Sequence, residues 1–282
     1  MRYSPSRRHV VCLVPALAGA GWAWAQVRDL NDAINKAGRQ RMLSQRCAKA
    51  YLALAQAVRS DQADKVLADS MALFDRQLVE LRAFAPTPEI KATYGELDAA
   101  WSAYKSALVG AAPNKSGGDA VVTASNRVLQ LANQGTVQLE TASGKPVGRL
   151  VNIAGRQRML SQRMASMYLS ASWGVQADAS AKALTVARGE FVQAHATLKS
   201  APETTPAIHA ELDLAEQQYS FFDNALKQLK PRIALYVGAA RELGATRAQA
   251  VFASSPIAGV ALAALWLGET LETRHALAGG LG

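Results

Sequence analysis

Six arginines in two clusters are the residues of this chain best suited to chemistry. The nonapeptide GRQRMLSQR occupies 38–46 and recurs at 155–163, so Arg39, Arg41 and Arg46 return as Arg156, Arg158 and Arg163. The match extends outward, with INKAGRQRMLSQRCAKAYL at 34–52 lying over VNIAGRQRMLSQRMASMYL at 151–169. A guanidinium is planar and permanently charged, and its fork of N–H donors fits oxyanions. On a helix, the 3,4 spacing puts Ile34, Ala37, Arg41, Ser44, Ala48 and Tyr51 on one seam. Val151, Ala154, Arg158, Ser161, Ala165 and Tyr168 form the matching seam of the second copy.

Each seam is small and apolar apart from its central arginine and the serine one turn later. Small residues let two helices approach closely, which would bring Arg41 and Arg158 together if the motif helices pair. Two guanidinium groups meeting there repel each other and lose hydration. An anion lying between them relieves both costs through charge-assisted hydrogen bonds. Gly38 and Gly155, one turn earlier, leave room for it. The candidate ligand set is therefore Arg41 and Arg158, with backbone or hydroxyl donors near Gly38, Gly155, Ser44 and Ser161. Arg39 and Arg46 share another face, as do Arg156 and Arg163. They are expected to meet solvent, third-helix carboxylates such as Glu96 and Asp98, or a partner. The competing reading is that all six arginines snorkel or form surface ion pairs. Identity between the copies also follows from duplication alone.

The elements that position these residues are helical. Half of the 282 residues are apolar and only 6% aromatic, a balance that suits packed helices better than sheets. Periodicity places helices at about 28–59, 61–84, 89–109, 120–141, 148–173, 180–199 and 207–229. Proline pairs at 86/88 and 202/206 interrupt the pattern, and AAPNKSGGD at 111–119 reads as a loop. Phe74 falls over Phe191 and Leu81 over Leu198 at the motif's offset. Glu96-Leu97-Asp98 falls over Glu211-Leu212-Asp213, and Tyr104 over Tyr219, at an offset two residues shorter. Two three-helix units joined by an extra helix predict an all-α, antiparallel helical bundle built from two tandem repeats.

The ends differ from this body. Arg2, Arg7 and Arg8 precede an apolar run closed by Ala23-Trp24-Ala25, the pattern of a cleaved export signal spanning 1–25. The run falls short of the roughly 20 apolar residues of a spanning helix. The mature chain is thus expected outside the cytoplasm, in the periplasm. Residues 251–268 carry no charge but include Pro256 and Gly259, a marginal membrane-spanning candidate within a short hydrophobic helical tail. Cys12 leaves with the leader, so Cys47 can form no disulfide within the mature chain; its counterpart is Met164, which argues for packing.

Several classes fall away. The net charge of +9 is spread along the chain without a nucleic-acid motif, so nucleic acid is not an expected partner. His9, His195, His209 and His275 are scattered, and no nucleophile–base set or metal cluster adjoins the motif. His195 and His209 are expected on the surface. No catalytic residue, metal or cofactor is assigned.

AGRQRMLSQR followed by a helix ending in Tyr-Leu closely resembles the signature of the PilJ/NarX-like extracytoplasmic sensor domain, over about 29–229. That domain occurs in type IV pilus methyl-accepting chemotaxis transducers and nitrate/nitrite sensor kinases. The resemblance implies a helical bundle holding nitrate or nitrite between two symmetry-related helices, one arginine from each within G-x-x-R-M. Those arginines correspond to Arg41 and Arg158. Relatives carry one such domain and bind at a homodimer interface, whereas two motif helices here let one subunit form a pseudo-dimer. No HAMP, kinase or methyl-accepting segment is recognisable. The stretch 235–282 resembles the C-terminal end of an EamA-type transporter, of which only about two helices are present; this remnant would serve at most as a membrane anchor. The organisation implied is a leader (1–25), repeat 1 (26–146), repeat 2 (147–230) and an EamA-like fragment (231–282). The function implied is nitrate or nitrite binding or sensing, with a signalling or pilus-associated partner. The alternative is a helical adaptor that docks a pilus or chemoreceptor component.

Overall fold

The computed structural model describes residues 27–110 and 113–228, and the expected leader and C-terminal tail lie outside them. Among the described residues seven helices run in sequence: α1 (Leu30–Ala55), α2 (Ser60–Phe84), α3 (Pro88–Val109), α4 (Lys115–Ser143), α5 (Pro146–Trp173), α6 (Ala177–Ser200) and α7 (Pro206–Gln228). No strand occurs among the described residues. The starts follow local chemistry. Asp29, Thr87 and Asn114 each accept a backbone N–H three residues on, satisfying donors that an open helix end leaves bare. Pro88 and Pro146 sit in the first turns of α3 and α5, where the missing N–H costs nothing. Gly144 and Gly174 close α4 and α5 in left-handed conformations.

One boundary departs from expectation. Gly117 and Gly118, read in the sequence as loop residues, lie inside α4. They are close-approach positions: a methyl on Gly117 would strike the Tyr51 hydroxyl, and one on Gly118 would sit 2.7 Å from the Trp173 ring. Aromatic packing from α1 and α5 holds this glycine pair helical against its intrinsic preference.

Consecutive helices run antiparallel. Lys36 meets Glu80, Gln40 meets Phe74, and Arg82 meets Asp98 while Asp75 meets Trp101. Because each turn reverses the chain, α1 and α5 are four reversals apart and run parallel. Ile34 lies beside Gly148, Gly38 beside Gly155, Gln45 accepts from Arg163, and Gln56 donates to the Leu169 carbonyl. The two motif helices therefore pair along their length at the centre of the bundle.

Positions that match between the repeats contribute to the core. Phe74 stacks on Trp101 with ring centroids 3.8 Å apart, and its counterpart Phe191 stacks on Tyr219 at 4.4 Å. Leu81, Leu198 and Tyr104 are buried. Cys47 is fully buried near Tyr104, and burial pushes its thiol up to about 12, in keeping with a packing role. His195, expected on the surface, is buried between α6 and α7 near Glu216. It follows Phe191 by one turn and shares that inward face. Burial lowers its pKa from the usual histidine value. No described helix is long and apolar enough to cross a membrane.

Candidate functional site

The central pair of helices brings both copies of the motif to one place. Gly38 and Gly155 face each other at the crossing of α1 and α5: a methyl on Gly38 would lie 3.5 Å from the Gly155 Cα. That same methyl position is 3.4 Å from Arg41 Nη2 and 3.9 Å from Arg158 Nη2. The absence of side chains here lets two guanidinium groups converge beside the backbone. Arg41 is 0% exposed and Arg158 is 2% exposed, so neither fits the surface ion-pair reading. Burial pushes Arg41 down to about 9, with Arg156 adding repulsion; burial likewise pushes Arg158 down to about 9, with Arg39 and Arg41 adding to it.

What holds these cations is amide oxygen rather than carboxylate. Arg41 donates from Nη1 to Asn133 Oδ1 at 2.9 Å, and from Nη2 to Asn152 Oδ1 at 2.6 Å and its carbonyl at 3.1 Å. Arg158 donates from Nη2 to Asn35 Oδ1 at 2.9 Å. Asn35 and Asn152 occupy the same register in the two repeats, so each motif helix clamps the other's arginine. Asn152 in turn donates from Nδ2 to Glu140 of α4, and that carboxylate lies close enough to raise the Arg41 pKa against the effect of burial. Three guanidinium N–H positions remain buried without a hydrogen-bond partner, Arg41 Nε, Arg158 Nε and Arg158 Nη1, as does the Tyr94 hydroxyl in the field of Arg41. Unpartnered buried donors are costly, and three of these belong to the facing cations.

The serines of the motif turn elsewhere. The Ser44 hydroxyl donates to the Arg41 carbonyl and that of Ser161 to the Arg158 carbonyl, both at 2.8 Å. Gln40 and Gln157 anchor the next helix symmetrically, donating to the carbonyls of Phe74 and Phe191. Of the outer arginines, Arg163 donates to the amide oxygens of Gln45 and Asn126, and the other three face carboxylates, drawn from the second helix of each repeat rather than the third. Arg156 pairs with Glu190 of α6 at 2.9 Å, Arg39 lies in the field of Asp32 and Glu80, and Arg46 in that of Asp69. Glu96 and Asp98 are taken by Arg127 and Arg82. The reason is packing order: α2 and α6 flank the motif helices along the face that bears these arginines.

Asn35, Asn152, Asn133 and Glu140 were not singled out in the sequence. The asparagine pair carried a signal, identity at matching register outside the nonapeptide. Asn133 and Glu140 carried none, since their role depends on where α4 lies. No group of histidine, cysteine or carboxylate side chains able to hold a metal occurs among the described residues.

An all-helical bundle of two tandem units, each lending one motif helix to a buried arginine pair, defines the class of protein. The family model described as type IV pili methyl-accepting chemotaxis transducer N-term, PilJ, matches residues 22–134 and again 140–248. The chain belongs to this family, with two copies of its domain. The second match runs past residue 230, where the sequence placed the end of repeat 2. Comparison with curated proteins found no match, and comparison with solved structures found none.

Proposed function

We propose that this chain is an extracytoplasmic sensing module for a small oxyanion, nitrate or nitrite, seated between Arg41 and Arg158 within a single subunit. The observation that carries the reading is the convergence of two buried guanidinium groups across Gly38 and Gly155, with three N–H positions unpartnered. A planar anion at that crossing would accept those donors and offset the repulsion between the cations. The choice of nitrate or nitrite rests on the resemblance of the motif. The family's description, the N-terminal domain of a chemotaxis transducer, supports a sensing role and a signalling partner.

Isothermal titration of the exported chain with sodium nitrate and sodium nitrite tests this. A single charge-assisted hydrogen bond is worth about 1.5–3 kcal/mol. Arg41→Lys and Arg158→Lys, which keep a charge but remove the fork, are expected to weaken binding roughly tenfold or more. Affinity unchanged in both variants overturns the assignment.

A further inference from the structure

The two arginines are related by the repeat but not equivalent in their surroundings. Both Nη groups of Arg41 are engaged, by Asn133 of α4 and by Asn152, and Asn152 is itself fixed by Glu140 of α4. Arg158 has one hydrogen bond, to Asn35, and its Nε and Nη1 are buried without partners. The difference continues along the pair. Gln45 donates to the Ser125 carbonyl of α4 and its side-chain oxygen accepts from Arg163, whereas the side-chain oxygen of its counterpart Gln162 is buried and unpartnered. At the central pair the helix that joins the repeats thus braces Arg41 and not Arg158, although further along it also takes Arg163 of α5 through Asn126.

We infer that the site is functionally asymmetric: Arg158 is the arm that takes the anion, and Arg41 is a brace whose geometry is set by α4 through Asn133, Asn152 and Glu140. This rests on the anion-binding reading above. An incoming anion meets two unpartnered donor groups on Arg158 and only Nε on Arg41. To gain more from Arg41 it must displace an amide oxygen already in place, and that exchange returns little. A homodimer of identical subunits has no counterpart to this inequality, because every contact on one arginine would recur on the other.

The test combines side-chain NMR with titration on the full chain carrying 15N-arginine, signals assigned through Arg41→Lys and Arg158→Lys. Before ligand, slow guanidinium rotation is expected for Arg41 and faster rotation for Arg158. On addition of sodium nitrate, the Arg158 Nε–H is expected to shift more and its rotation to slow. By titration, Arg158→Lys is expected to lose roughly tenfold more affinity than Asn133→Ala, which removes a brace and no ligand contact. Equal rotation and equal shifts at the two arginines overturn the asymmetry while leaving nitrate binding intact. Absence of both heat and shifts with nitrate and nitrite overturns the binding reading and this inference with it.

Discussion

At the residue scale the site depends on two atoms that are missing, the Cβ atoms of Gly38 and Gly155. A methyl on Gly38 makes ordinary contacts, 3.4 Å to Arg41 Nη2 and 3.5 Å to the Gly155 Cα. Alanine in a helix interior is favoured over glycine by about 1 kcal/mol. Gly38→Ala is therefore expected to hold or raise the melting temperature. The same methyl occupies the space beside both guanidinium groups, so nitrate affinity is expected to fall roughly tenfold, about 1.4 kcal/mol. Stability and affinity moving together would contradict this. The arginines also impose a pH signature. Burial holds both near 9 in the folded chain, and an anion stabilises the charged form. Binding should take up no proton at pH 7 and should take up protons near pH 9, with affinity falling as pH rises through 9. The decline would reach up to about tenfold per pH unit for each arginine. Titration in buffers of different ionisation enthalpy measures the uptake directly.

At the element scale the repeats solve one turn in two ways. The α1–α2 turn puts Ala57 at φ 55° and Arg59 at φ 48°, and the α5–α6 turn puts Gly174 at φ 75° and Gln176 at φ 44°. These positions match in register, so the turn geometry is common and only the residue differs. A left-handed conformation costs an L-residue with a Cβ about 1–2 kcal/mol. Gly174→Ala is expected to destabilise by that amount, since the nearest atom to the new methyl, Lys115 Nζ, is 3.7 Å away and leaves conformation as the cause. Ala57→Gly is expected to be neutral or stabilising by up to about 1 kcal/mol, the relief being partly offset by unfolded-state freedom. Urea denaturation of the two variants should give shifts of opposite sign or, at the least, a loss only for Gly174→Ala.

At the scale of the whole molecule, the parallel pairing of α1 and α5 puts both arginines in one chain. Folding, rather than association, assembles the crossing. Nitrate affinity and a stoichiometry of one anion per chain are thus expected to stay constant over a hundredfold range of protein concentration. Affinity that rises with concentration, in step with dimer measured by sedimentation, would mean that the crossing inside the subunit is not the binding place. The same architecture explains the placement of the ion pairs. Lys36 bridges Asp32 and Glu80 at 3.3 and 2.7 Å with all three side chains largely buried, so α1 is tied to α2 by charge.

Much of this protein was legible along the chain. Helical periodicity, the proline breaks and the repeat gave the helices and matched Phe74 with Phe191 and Tyr104 with Tyr219, because each depends on contacts within a few turns or on a pattern repeated at fixed offset. The same periodicity separated Arg41 and Arg158 from the four other arginines. The tertiary structure alone decided the rest. It paired α1 with α5 in parallel, brought the carboxylates from α2 and α6 instead of α3, buried His195 against α7, and kept Gly117 and Gly118 helical under Tyr51 and Trp173. It also placed Asn133 of α4 on Arg41 and Glu140 of α4 on Asn152, while nothing described reaches Arg158 Nη1. Duplication fixes which residues recur; long-range packing fixes which of them find a partner, and a joining helix that occurs once makes two identical motifs unequal.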